Sequence, residues 1–464
     1  MFEFIEKGQE ELLRIFSRLR KKDFSGNEGQ AIKNSVYQFS TNVLFKLGSL
    51  LFTIIIARML LQELFGLYSL ALATIVLFAS LSDLGIGNAA ITFISRSLVK
   101  KNYHKARSYF KILLKYKIYF AILASLILLA LAYYISKVYY NKPIFFALLA
   151  GAIYIPVICL LGFFESVFKA SNNFKYPLFK ELIFQVLRIC LVPLSILLIL
   201  KARFSNEITI MTIILVLVFC YSISLLFLEF SSKKKIDYMK YHSKQLSKIE
   251  RKHLWLFILP LTATSFSGLF FGYIDTLMLG NFVKEEFIGY YSSALNLIGA
   301  AASMMGFISM AIFPIFSRLK GKTLESVFKK IFLVNLLISL LGAIFAFFLA
   351  SPIIKIAYGS HYLLAVPLLK FFSILMIILP LTATYETYLI SQAKTKTLAW
   401  LLICATILNI ILNYFFITFG LKHSMLWAIT GSCIAVILSR AIYLISLIIS
   451  KKRLFPKSKN IKSN

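Results

Sequence analysis

The chain has 464 residues, 59% hydrophobic and 15% charged, with a mean hydropathy of +0.81 and a formal net charge of +32. No soluble fold of this length can bury that much apolar surface, so the solvent of most of the chain must be lipid. The excess of Lys and Arg could suggest a nucleic-acid binder, but the basic residues form no single domain or stripe and sit in short clusters between apolar runs, as membrane topology requires.

No cleavable signal is expected in residues 1–34, since charges interrupt every apolar core there. Ile5, Leu12, Phe16 and Leu19 share one helical face among Arg14, Arg18, Arg20, Lys21 and Lys22. An amphipathic helix on the cytoplasmic membrane surface and a basic tail both fit this pattern. From Ser35 onward the hydropathy predicts about twelve spans of roughly 20 residues or more. They lie near 35–57, 66–95, 110–135, 144–166, 178–200, 207–230, 254–279, 288–316, 327–350, 364–390, 397–418 and 425–449. The second and eighth are long enough to kink, with Gly85 and Gly87 in one and Pro314 in the other as break points.

The first span carries Gln38, Asn42, Lys46 and Ser49 at intervals of four, four and three residues, one face of a helix. A lysine near the middle of a span costs on the order of 2.5–3.5 kcal/mol on insertion scales, so such a face is expected to meet a cavity or a partner. The span leaves through Arg58, turns at Glu63 and re-enters at Phe65.

Orientation follows from Lys and Arg. Alternate loops are basic, among them the loop with Arg96, Lys100, Lys101, Lys105 and Arg107 and the tail with Lys451, Lys452 and Arg453, whereas the intervening loops hold one or two basic residues each. Both termini are therefore expected in the cytoplasm, and the chain in the cell membrane as a multi-pass protein. The longest connection, 231–252, is basic and central and reads as a linker. The expected organisation is a cytoplasmic segment 1–34, a six-helix half 35–230, the linker 231–252, a second half 253–450 and a basic tail 451–464.

The exit turn of the first span recurs. Residues 57–72 read ARMLLQELFGLYSLAL and 280–295 read GNFVKEEFIGYYSSAL, which aligns Glu63 with Glu286, Gly66 with Gly289 and Tyr68-Ser69 with Tyr291-Ser292. Six spans per half place both copies in the same orientation, which predicts an all-α polytopic protein of two parallel halves around a central cavity, with substrate between them near the midplane.

These features resemble a known family. The run from Arg58 to Ser69, Ser82-Asp83-Leu84-Gly85, Tyr273 to Gly280 leading to Gly289-Tyr290-Tyr291, Tyr358-Gly359, and Leu408-Asn409 with Asn413-Tyr414 and Gly420 look like the O-antigen and polysaccharide flippases. Those belong to the multidrug/oligosaccharidyl-lipid/polysaccharide exporter superfamily, and the resemblance covers roughly residues 33–450. It implies a flippase that moves a polyprenyl-(pyro)phosphate-linked oligosaccharide to the outer face by alternating access. Its partners would be that lipid-linked glycan, membrane lipids and glycan-assembly enzymes, with no nucleic acid. It needs no cofactor, although coupling to Na+ or H+ is compatible with it. The alternative is a multidrug and toxic compound extrusion (MATE) type cation-coupled antiporter.

A phosphate-bearing substrate calls for fixed positive charge. Candidate cavity residues are Gln38, Asn42, Lys46, Arg188, Lys370 and Arg440, of which Lys370 lies nearest the outside. Asp83 and Asp275 are the deepest acids, able to couple an ion or to form structural pairs, whereas Glu165 and Glu386 read as interfacial. Asn335, Asn409 and Asn413 read as interhelical glue. No enzyme is expected. The glycine a Walker A motif requires before Gly321-Lys322-Thr323 is Phe316, and no Gly-x-Ser-x-Gly is present. The five cysteines lie in apolar runs, and neither they nor the five histidines have metal-ligand spacing. The polar face of span one has no copy in the second half, where Ser265 and Leu269 take the places of Asn42 and Lys46.

Overall fold

A computed structural model describes residues 26–454, apart from positions 203 and 320. The amphipathic pattern from Ile5 to Leu19 and the end of the basic tail lie outside the described residues. Among the described residues every regular element is helical, as lipid demands: an apolar run there can satisfy its backbone N–H and C=O groups only within itself. The helices are α1 (Gly26–Ser80), α2 (Ile86–Val99), α3 (Tyr103–Tyr133), α4 (Phe145–Ala170), α5 (Lys175–Lys201), α6 (Asn206–Lys235) and α7 (Lys248–Phe282). They continue as α8 (Glu285–Arg318), α9 (Gly321–Phe348), α10 (Ala350–Tyr358), α11 (Val366–Phe372), α12 (Leu375–Ser391), α13 (Thr395–Leu421) and α14 (Met425–Leu454).

Among the described residues, eight helices are long and apolar enough to cross a membrane, or nine with the bent pair Ser360–Phe372 and Leu375–Ser391 taken as one span. The chain is an all-α polytopic membrane protein. One of these eight, α1, holds more than one of the expected spans. The first expected span and half of the second lie in α1, which is two helices joined across a kink at Leu61 (φ 57°, ψ −177°), two residues before the expected turn. The expected seventh and eighth spans are the helices α7 and α8.

The second expected span breaks where its glycines predict. Residues 81–85 form a turn, and Gly85 sits in the left-handed region (φ 75°) that glycine occupies without a Cβ penalty. In the eighth, Pro314 falls within the one helical element α8. The tenth bends by 46° at residues 373–374, ahead of Pro380. Helix starts use ordinary caps. Asn102 accepts from the Lys105 N–H at 2.9 Å, and Ser247 with Glu250 forms a capping box that starts α7.

By backbone contact the chain divides into two compact units, whose described parts are 26–293 and 294–454. In the first, α2, α3 and α4 close a core of Ile94, Leu113, Phe163 and Phe168, capped by Tyr238 and Leu254. The 231–252 connection is therefore docked on α3. The two copies of the repeated turn also meet within this unit. A Cβ on Gly66 would fall on the Glu285 carbonyl and lie 2.9 Å from the Gly289 nitrogen, and one on Gly289 would fall on the Gln62 carbonyl. Only glycine permits this reciprocal backbone crossing. In the second unit, α13 and α14 pack closely: Ser432 of α14 donates to Asn413 Oδ1 at 2.7 Å and Ser439 to Asn409 Oδ1 at 3.1 Å, while within α13 Asn413 Nδ2 donates to Asn409 Oδ1 at 2.9 Å. Asn335 likewise ties α9 to Thr384 of α12 at 2.8 Å.

Candidate functional site

Helix α5 begins at Lys175, and its buried face runs Pro177, Glu181, Gln185, Arg188, Val192, Ile196 and Ile199. The spacing of four, four and three residues is helical, and the face changes from polar to apolar after Arg188. Lys180, beside that face, lies between two carboxylates, donating to Glu165 of α4 at 2.6 Å and to Glu181 at 2.8 Å. Gln185 Nε2 donates to the other oxygen of Glu181 at 2.5 Å, and its own Oε1 accepts from Arg188 Nε at 2.9 Å. The result is a continuous chain Glu165–Lys180–Glu181–Gln185–Arg188.

Arg188 ends this chain. Its guanidinium lies over Phe52 of α1 at 4.4 Å and over Phe184 at 4.9 Å, two cation–π contacts. The residue is only 5% exposed, and its Nη2 is buried with no hydrogen-bond partner among the described residues. A buried N–H left unmet costs about 1–3 kcal/mol, more for a charged group, so this atom is a donor awaiting an acceptor. Phe184 in turn stacks on Tyr221 of α6, with ring centroids 4.0 Å apart.

A cavity of about 310 Å³ opens against this chain. Gln38 and Asn42 of α1, Glu165 and Lys169 of α4, and Lys180 and Glu181 of α5 contribute its polar wall, with Phe45, Phe184 and Tyr221 on the apolar side. The structure thus brings Gln38 and Asn42 to one cavity and places Arg188 at the end of the chain beside it. Lys46, on the same helical face, is not in the wall; it is half-buried, with its ammonium 5.7 Å from the Phe45 ring. Gly48, one turn from Phe52, is where α1 comes closest to Gln185, since a Cβ there would fall on that amide.

The remaining candidates lie elsewhere. Lys370 is an exposed residue of α11 over Phe347 at 5.5 Å. Arg440 is half-buried on α14, one turn before Tyr443, whose hydroxyl donates to Glu386 at 2.9 Å. Asp83 stands in the 81–85 turn and accepts from the buried ammonium of Lys117 at 2.7 Å, which fastens the turn to α3. Asp275 is buried and accepts from the Tyr291 hydroxyl at 2.6 Å.

Sequence reasoning missed Lys180, Glu181 and Gln185 and placed Glu165 at an interface. The signal was available: Lys180, Glu181, Gln185 and Arg188 recur with helical spacing inside an expected span, as Gln38, Asn42 and Lys46 do in the first.

The model of the polysaccharide biosynthesis protein family matches residues 31–320, and the MatE model matches residues 260–415. No curated protein matches the chain. Among solved structures, the inward-facing conformation of a multidrug resistance MATE family transporter of the MOP superfamily is similar, with 13% identity, a TM-score of 0.61, and coverage of 92% of this chain and 96% of that one. The lipid II flippase MurJ in its inward closed conformation is similar at 16% identity and a TM-score of 0.55, covering 91% of this chain and 86% of that one. A eukaryotic MATE transporter follows at 12% identity and a TM-score of 0.59, with coverage of 90% and 94%. These are folds of transporters and flippases, not of enzymes. With more than half of its length matched by one family model, the chain belongs to the polysaccharide biosynthesis protein family.

Proposed function

We propose that the protein is a flippase that carries a polyprenyl-(pyro)phosphate-linked oligosaccharide from the cytoplasmic to the outer face of the cell membrane by alternating access. The observation that carries this reading is Arg188: a buried guanidinium with an unmet donor, beside a cavity walled by amides, lysines and aromatic rings, in a chain of the polysaccharide biosynthesis family. A phosphate oxygen is a strong acceptor for such a donor, and sugar hydroxyls suit Gln38, Asn42 and Tyr221. The lipid tail would stay in the bilayer while the headgroup passes. The similarity to a lipid II flippase favours a lipid-linked substrate.

The two halves of the repeat, 35–230 and 253–450, would be the moving bodies, with both termini in the cytoplasm. Opening to the outside would require the backbones at Gly66 and Gly289 to part. Lys370 and Arg440 would be the candidate cations of the second half. Asp83 and Asp275, already hydrogen-bonded, would couple Na+ or H+ only by exchanging their present partners. Glycan-assembly enzymes would supply the substrate.

A second reading, a MATE-type antiporter, draws on the MatE match and on the two carboxylates, Glu165 and Glu181, in the cavity wall. One reconstitution separates the two. Proteoliposomes should move a labelled polyprenyl-pyrophosphate oligosaccharide, and Arg188→Ala should slow that movement at least about tenfold, the loss of one charged hydrogen bond. Dye efflux without glycolipid movement would favour the antiporter. Wild-type movement by Arg188→Ala would remove the cavity assignment.

A further inference from the structure

A second cavity, of about 390 Å³, lies at the basic ends of α3 and α7 and shares no lining residue with the α4–α5 cavity. Lys111 and Lys115 of α3, Lys244 of the α6–α7 connection and Arg251 of α7 line it, together with Ser108 and Tyr116. No carboxylate is in its wall. The nearest acid in sequence, Glu250, is committed to Lys105 at 2.5 Å and to the Ser247 N–H at 2.9 Å. None of the four cations has an ion pair among the described residues.

The cavity wall is held in place. The Lys244 N–H donates to Ser108 Oγ at 2.8 Å, His104 Nδ1 bonds the His242 carbonyl oxygen at 2.9 Å, and Tyr241 stacks on Tyr103 with centroids 5.0 Å apart. Four like charges are thus gathered on ordered backbone, an arrangement that costs repulsion unless an anion offsets it.

What lies along the same helices identifies the anion. On α3, Lys111 and Lys115 are followed at helical spacing by Ile118, Ile122 and Leu126, all exposed. On α7, Arg251 is followed by Trp255 and by the exposed Leu256 and Leu259. Trp255 contacts Tyr116 at 5.0 Å and Phe120 at 6.3 Å, an aromatic group at the boundary between the charged and apolar stretches, the level aromatic residues take at a membrane interface. Cations, then aromatics, then exposed aliphatics, over about 1.5 Å of rise per residue, reproduce the profile of headgroup, interface and acyl chain.

We propose that this cavity binds the phosphate headgroup of an anionic bilayer phospholipid, whose acyl chains lie along the exposed face of α3. The site is separate from the α4–α5 cavity, and the proposal stands whatever substrate that cavity serves.

The full-length protein in detergent should bind short-chain phosphatidylglycerol, followed by native mass spectrometry or Trp fluorescence, and should bind phosphatidylcholine far more weakly. Combined Lys111→Gln, Lys115→Gln and Arg251→Gln should weaken phosphatidylglycerol binding on the order of 100-fold, from about fivefold per basic residue at a membrane surface. The charge-conserving combination Lys111→Arg, Lys115→Arg and Arg251→Lys should preserve binding. If the triple Gln variant does not fold, Lys115→Gln alone should lose about fivefold. Equal binding of the two lipids, an unchanged affinity in the Gln variants, or inorganic phosphate binding as tightly as phosphatidylglycerol would each overturn the proposal.

Discussion

Two polar regions of the protein solve the problem of polarity inside an apolar bundle in opposite ways. Between α4 and α5, Glu165, Lys180, Glu181, Gln185 and Arg188 form a charged chain that ends in an unmet guanidinium N–H. Between α13 and α14, Asn409, Asn413, Ser432 and Ser439 form a neutral lattice that joins two helices. Neutral amide–hydroxyl pairs need little to be stable in a bundle and serve as glue. A buried charged chain brings a desolvation cost that close geometry only partly offsets, so it is weak support for stability and a stronger pointer to function. It also has a donor to give, which the neutral lattice's paired groups do not offer in the same way.

The contrast can be broken at Lys180 first. Lys180→Met leaves Glu165 and Glu181 facing each other without their shared cation, and the loss expected for breaking a buried pair is about 3–5 kcal/mol, read as a lowered thermal midpoint in detergent. Adding Glu165→Gln and Glu181→Gln to that variant should recover most of the midpoint while leaving transport impaired. If stability and transport recover together, the charged chain is scaffold. Asn413→Ala should cost less, about 1 kcal/mol, and should leave glycolipid movement per folded molecule unchanged. A transport defect in that variant at full stability would assign the α13–α14 lattice a working role and dissolve the contrast.

The smallest effect belongs to a solvent-facing pair outside both regions. Hydrogen bonding from the Lys105 side chain, and then from the Ser247 backbone, holds the Glu250 carboxyl below its usual value of 4.5. A depressed carboxylate contributes stability that is fully present above its unfolded value and is lost as the pH falls through the lower folded value. Glu250→Gln should therefore leave the midpoint nearly unchanged under acid conditions and lower it slightly near neutrality, the difference shrinking in high salt. A difference that grows on acidification would contradict the pairing.

Much of the architecture was legible in the chain because it follows from solvent. Apolar runs of span length, set off by basic clusters, leave the backbone little choice but helix, and Gly85 marked a real break. Pro314 falls inside one helical element, since a long helix can forgo the one hydrogen bond a proline removes, while a left-handed glycine redirects the chain. The duplicated turn was visible as a spacing of residues, but the meeting of its two copies at Gly66 and Gly289 was not. The site was half legible. Gln38 and Asn42 reach the cavity wall, but Lys46 on the same face does not, because one helical face spans several turns and a cavity of this size covers only some of them. For Asp83 the chain left ion coupling and a structural pair both open, and its partner, Lys117, comes from a different helix.

By itself the sequence determined that this is a polytopic helical membrane protein with an internal duplication, since hydropathy, charge placement and a repeated motif are properties of the chain read in one dimension. Only the tertiary structure decided which of its buried charges are paired. Pairing depends on which helix faces which, as Lys180 with Glu165 across α4 and α5, and Arg188 with Phe52 across α1 and α5. Those contacts join residues 15 and 136 positions apart, distances over which the order of residues along a helix carries no information about its neighbour.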